Sequence, residues 1–121
     1  MDTHKNRPLL ARARFALDGF LYGLRTERSL QTQAAVLLVV IIALVVLKLA
    51  PLWWALVILS SAAVLAAEMF NTAIEHLADH LHPQEHAAIR IVKDCAAAGV
   101  LLTVIGALGV ATALLWELIR R

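Results

Sequence analysis

A single cysteine, Cys95, stands among the 121 residues. That excludes an intramolecular disulfide and every metal motif built on several thiolates. A lone thiol in an apolar stretch is ordinarily packing and does not reveal a redox compartment. Aromatic residues make up only 6% of the chain, too few for a base-stacking platform, and a formal charge of +2 is too small for a nucleic-acid footprint. Nucleic acid is therefore not the expected partner. Charge is scarce altogether: 17% of residues carry it, where an ordinary soluble domain has about 25%. Hydrophobic residues reach 61% in place of roughly 45–50%, which puts the chain in a bilayer. Neither a Walker-type Gly-rich loop nor a GxGxxG run occurs, so any nucleotide site must use another geometry. The length fits one domain, residues 1–121, and is too short for the layered sheets of a large soluble enzyme. Any chemistry must come from a few helices, which several subunits can share.

The charges that remain divide the chain. Ala34 to Leu47 is uncharged, Lys48 and Pro51 interrupt, and Leu52 to Ala67 is uncharged again up to Glu68. A third run, Cys95 to Trp116, is long enough to cross by itself. The first two runs fall short of the roughly 20 residues a span needs, but Leu30 to Gln33 and the stretch past Glu68 extend them. The composition, rich in Leu, Val, Ile and Ala, resembles neither alternating barrel strands nor a cleaved signal peptide. The expected architecture is an all-α integral membrane protein with spans at about residues 30–48, 52–75 and 95–117, the first two joined by a tight hairpin. Before them, residues 8–28 read as an amphipathic surface helix. Leu10, Leu17, Phe20, Leu21 and Leu24 form one stripe, Arg12, Arg14, Asp18 and Arg25 lie off its centre, and Pro8 suits the first turn. Such a helix lies in the headgroup region, or packs on a partner.

Orientation follows from the basic residues. Lys5, Arg7, Arg12, Arg14, Arg25 and Arg28 precede the first span, and Arg90 and Lys93 separate the second and third. The opposite side has Lys48, Arg120 and Arg121, so the N-terminus is expected in the cytoplasm. Trp53, Trp54 and Trp116 then fall at the far interface as anchors.

The chemistry concentrates where the second span leaves the membrane. At 100° per residue, Glu68, Asn71, Thr72, Glu75 and Asp79 share one helical face, predicted to run inward. Glu68 ends sixteen uncharged residues, and an ionisable group at membrane depth is costly unless paired, hydrated or protonated. Two carboxylates one or two turns apart can divide the labour: the more buried one acts as general base, and the one nearer water holds Mg²⁺. The structural alternative is that Glu68 and Glu75 pair with arginines or neighbouring helices to fix an assembly. Arg25-Thr26-Glu27-Arg28 and Lys93-Asp94 face the same boundary, and two carboxylates with a lysine suit a metal-bound polyphosphate. Taken singly, these are also ordinary surface charges. His76 and His80, four apart, with His82 and His86 following, have a spacing that can bind Zn²⁺. A helix end at His82-Pro83 favours solvated or phosphate-proximal histidines instead.

Three blocks in order resemble the small prokaryotic diacylglycerol kinases and the related undecaprenol kinases. They are Phe15-Ala-Leu-Asp-Gly19-Phe-Leu-Tyr-Gly-Leu-Arg25-Thr-Glu27-Arg28, then Glu68-x-x-Asn71-Thr-Ala-Ile-Glu75-x-x-x-Asp79, then His86 followed by Lys93-Asp94-x-Ala-Ala. The resemblance implies a homotrimer in the bacterial inner membrane, with sites between subunits, that moves the γ-phosphoryl of ATP onto a lipid hydroxyl. It implies Glu68 as the base, Glu27 and Glu75 on Mg²⁺, and Asn71 supporting that site. Phe15 would lie near the adenine, Asp79, Glu85, His86, Lys93 and Asp94 near the nucleotide, and Ala97 beside the lipid.

Departures bear on the lipid. The diacylglycerol kinases tend to carry Ala-Phe-Arg-Gln-Glu where this chain has Ser29-Leu-Gln31-Thr-Gln33, and the family as a whole tends to carry a basic residue in place of Gln31 and a tyrosine in place of Phe15. Thr72 and the Ala96-Ala97 pair look more like the undecaprenol kinases. The expected substrate is therefore undecaprenol ahead of diacylglycerol. The competing class is a non-enzymatic assembly or transporter subunit in which Glu68 pairs with a basic residue of a partner.

Overall fold

The computed structural model describes residues 6–121, and Lys5 of the orientation count lies outside them. Four helices follow one another: α1 (Leu9–Thr26), α2 (Arg28–Val46), α3 (Pro51–Leu81) and α4 (Ala87–Ile119). Among the described residues there is no strand. The protein is all-α, and α2, α3 and α4 are each long and apolar enough to cross a membrane.

α1 is the amphipathic element. Its Leu10, Leu17 and Leu21 are exposed, while Gly23 is buried against the rest of the chain. Leucines left uncovered beside arginines are what a helix lying on a bilayer presents. Pro8 caps this helix one position before its first turn, where its missing N–H costs nothing. α1 passes into α2 through one extended residue, Glu27, whose N–H donates to the Gly23 carbonyl at 2.8 Å. Gln31 Nε2 reaches back across this junction to the Leu24 carbonyl at 3.0 Å.

The hairpin between α2 and α3 is built from backbone chemistry. Leu49 N–H bonds to the Leu44 carbonyl and Lys48 N–H to the Val45 carbonyl, the paired bonds of a Schellman end. The motif demands a left-handed residue after the cap. Lys48 fills that place at φ 49°, where glycine is usual. Leu44 and Leu49 are buried together with Val57 and Leu114, and Trp53 and Trp54 pack on the cluster. Pro51 then starts α3 at its first position.

α3 and α4 form the main interface of the chain. With 31 and 33 residues they measure about 46 and 50 Å, well beyond a hydrocarbon core of ~30 Å. Their helical backbone therefore carries polar ends past the apolar zone at the 82–86 turn. That end holds the candidate site.

Candidate functional site

Distance along α3 sets the depth of each carboxylate. With Pro51 at one interface, Glu68 stands about 26 Å along the axis, Glu75 about 36 Å and Asp79 about 42 Å. Glu68 lies just inside the apolar zone, and the other two lie beyond it. Exposure follows the same order. Glu68 is 8% exposed, Glu75 half-buried and Asp79 exposed, so the predicted inward stripe is inward only at its first half. Thr72, one turn after Glu68, is buried beside it.

The Glu68 carboxylate is anchored to α2. Ser29 Oγ donates to Oε2 at 3.1 Å and Gln33 Nε2 donates to Oε1 at 2.8 Å. Among the described residues these neutral groups are its partners, and no basic side chain of this chain pairs with it. Ser29 and Gln33 were not singled out by motif. The signal that could have found them is a polar i,i+4 pair opening an otherwise apolar run, which matches Glu68 closing the next one.

One to two turns further, Asn71 Nδ2 donates to Glu75 Oε1 at 3.0 Å. The Asn71 Oδ1 is buried and has no partner. Across from α3, Glu27 Oε1 comes within 3.8 Å of His76 Nε2, and the Tyr22 ring meets the His76 ring edge-on with centroids 5.9 Å apart. α1 approaches α3 closely enough for these contacts because position 23 is glycine, packed beneath Met69 and Leu30. Glu27 thus faces His76 across the α1–α3 contact, while Asn71 and Glu75 pair along α3.

No three His, Cys, Asp or Glu side chains gather into a metal cage among the described residues. Mg²⁺ does not need one, since it keeps several waters and takes one or two carboxylates beside substrate phosphates. The donor set fits that habit. Two carboxylates and an orphaned amide oxygen are hard ligands, and an unpaired buried acceptor is the kind of group a hydrated cation satisfies.

A second cluster surrounds the 82–86 turn. A cavity of about 710 Å³ is lined by Asp79, Glu85, His86, Lys93 and Asp94 together with His82 and Arg90. Lys93 Nζ bonds to Asp79, tying α4 to α3 across the turn. Asp94 lies 3.8 Å from Arg90 one turn away, both exposed. His86 caps α4, its Nδ1 accepting the Ala88 N–H at 3.2 Å. The first turn of α4 borders the cavity, and the positive end of a helix dipole favours an anion.

The expected nucleotide residues gather around neighbouring features. Five line the 82–86 cavity, Asn71 and Glu75 pair on α3 one turn before Asp79, and Glu27 faces His76. Phe15 lies on α1 roughly 18 Å along the axis from Glu27. Ala97 is exposed on α4. His82 and His86 rings stand 6.4 Å apart and tilted, each exposed.

The profile of the prokaryotic diacylglycerol kinases matches residues 14–115 of this chain. An undecaprenol kinase of Bacillus subtilis is 32% identical over 76 residues, 63% of this chain. A diacylglycerol kinase of Synechocystis sp. is 36% identical over 108 residues, 88% of this chain. Each match spans 62% of the relative's own length.

Proposed function

Because the chain belongs to the prokaryotic diacylglycerol kinase family, we propose that it is an integral-membrane lipid kinase that transfers the γ-phosphoryl of ATP to a lipid hydroxyl. The observation that carries this reading is the depth of Glu68. It is a buried carboxylate at the edge of the apolar zone, two turns below a polar face able to hold a polyphosphate. A lipid hydroxyl resides at that depth, and MgATP can come no deeper.

In the reaction, Glu68 takes the hydroxyl proton as the lipid oxygen forms a bond to the γ-phosphorus and the bond to the ADP oxygen breaks. Such transfer asks mainly for alignment and charge neutralisation, which a few helices can supply. Glu27 and Glu75 would hold Mg²⁺ with Asn71, and the ion would neutralise charge on the triphosphate. Asp79, Glu85, His86, Lys93 and Asp94 bind the nucleotide from the 82–86 cavity, with Phe15 near the adenine and Ala97 beside the lipid. Residues 1–121 act as one domain.

Undecaprenol is proposed ahead of diacylglycerol, on Thr72 and the Ala96-Ala97 pair. The relatives' names support both lipids. A homotrimer is proposed because one chain leaves Leu38, Val39, Leu102 and Leu108 uncovered and cannot enclose both substrates. The N-terminus is assigned to the cytoplasmic side of the inner membrane. ATP is found there, and the basic residues lie at the same end as the carboxylates.

Side-by-side phosphorylation of the two lipid alcohols by the full chain in mixed micelles with MgATP tests the reading. Transfer above a Glu68→Gln control is expected. Failure with both lipids returns the chain to the assembly-subunit alternative.

A further inference from the structure

The two donors on Glu68 have no role in the reaction as described. Both come from the first turns of α2, and their four-residue spacing presents them on one face toward α3. Ser29 takes one carboxylate oxygen and Gln33 the other. Each oxygen keeps a lone pair free, since one of these hydrogen bonds reaches each. A guanidinium in the same place would engage both oxygens in a fork and spend the charge on an ion pair.

The Gln33 amide shows its orientation by what it leaves unmade. With Nε2 on Glu68, its Oε1 is buried and unpartnered. An orphaned acceptor is unfavourable, so the donor it brings to Glu68 must offset it. Gln33 also borders an apolar groove of about 470 Å³ among α2, α3 and α4, lined by Val36, Val64 and Leu65. The amide therefore stands where an apolar chain lying in that groove would meet the carboxylate.

We propose that Ser29 and Gln33 are positioning residues for Glu68, locking the carboxylate across the α2–α3 interface so that a free lone pair faces the lipid hydroxyl. The side chain of Glu68 has three torsions, and bonds from a second helix to both oxygens restrict the last of them. Without either donor the carboxylate rotates in its pocket and is short of one hydrogen bond in an apolar setting. The proposal rests on the reading of Glu68 as the base.

Kinetics of the full chain in mixed micelles test it, with Ser29→Ala, Ser29→Thr and Gln33→Met each made in the native and in the Glu68→Gln background. Ser29→Ala and Gln33→Met are expected to lower kcat roughly tenfold to hundredfold, the scale of one hydrogen bond to a charged group. The KM for MgATP should stay constant, and Ser29→Thr, which keeps the hydroxyl, should restore kcat. In the Glu68→Gln background neither substitution should lower the residual rate further, because both act through Glu68. An equal loss in both backgrounds, or a change confined to KM, overturns the proposal. Should Gln33→Met fail to fold, seen as a lost thermal transition in detergent, the Ser29→Ala and Ser29→Thr pair decides alone. If the native chain is active and Glu68→Gln is not, while Ser29→Ala and Gln33→Met match the native chain, only the positioning role falls. If the native chain phosphorylates neither lipid, the base falls and the positioning role with it.

Discussion

Gly23 of α1 and Met69 of α3 are packed so closely that a Cβ at position 23 would stand 2.9 Å from Met69 Sδ, and 2.8 Å from Leu30 Cδ1. Gly19, one turn earlier on the same helix, has nothing within 4 Å of the corresponding point. Alanine in a helix gains about 1 kcal/mol over glycine, while overpacking costs about 1–3 kcal/mol. Gly19→Ala is therefore expected to raise the thermal midpoint in detergent. Gly23→Ala should leave it unchanged or lower it, and Gly23→Val should lower it clearly. Equal gains from both alanines would show that α1 does not dock on α3 as described.

Glu68→Gln keeps the shape of the side chain and removes the carboxylate proposed as the base. Turnover is expected to fall by at least about 10²-fold, with ATP affinity little changed. Initial rates together with nucleotide binding in the same micelles separate the two quantities.

Glu75→Gln acts on the other side of the divided labour. Weakened Mg²⁺-nucleotide binding is expected, seen as a shift of the activity curve to higher Mg²⁺ concentration. An unaltered Mg²⁺ dependence would remove Glu75 from the ligand set.

Lys93 and Asp79 join α4 to α3 in the open, with side chains 35% and 64% exposed, so their bond adds little to stability. Lys93→Ala should scarcely move the thermal midpoint. Its expected effect is on the KM for ATP, raised roughly tenfold by loss of a cation opposite the phosphates. A large fall in stability with an unchanged KM would make the pair a structural tie and nothing more.

At the hairpin, Lys48 holds a left-handed backbone that costs a side-chain-bearing residue about 1 kcal/mol. Lys48→Gly should be neutral or stabilising despite removing a charge, whereas Lys48→Val should destabilise. Thermal unfolding of the two variants checks the Schellman end directly.

What could be read from the sequence was local. Uncharged runs mark α2, α3 and α4, the leucine stripe marks α1, and Glu68 stands out because it interrupts an apolar run on its own helix. Each of these is a property of neighbouring residues. The partners of Glu68 are of another kind. Ser29 and Gln33 lie 39 and 35 residues away, and only the antiparallel register of α2 on α3 brings them to it. Along the chain they read as a polar flank that lengthens the first span. His86 likewise reads as a nucleotide contact, while its ring also serves as the cap of α4, a role that depends on the backbone at the 82–86 turn. The bond from Lys93 to Asp79 was hidden for the same reason, since it crosses from α4 to α3.

The single extended residue between α1 and α2 is Glu27, one of the two carboxylates assigned to the metal. A helix resting on the bilayer is in effect a lever, and here its fulcrum is Glu27. Any tilt of α1 imposed by the headgroups beneath it must turn the backbone at Glu27 against α2, whose end is pinned by Gln31 and by the Ser29 and Gln33 bonds. The placement of α1 and that of the Glu27 carboxylate are thus set together, through one pair of dihedral angles.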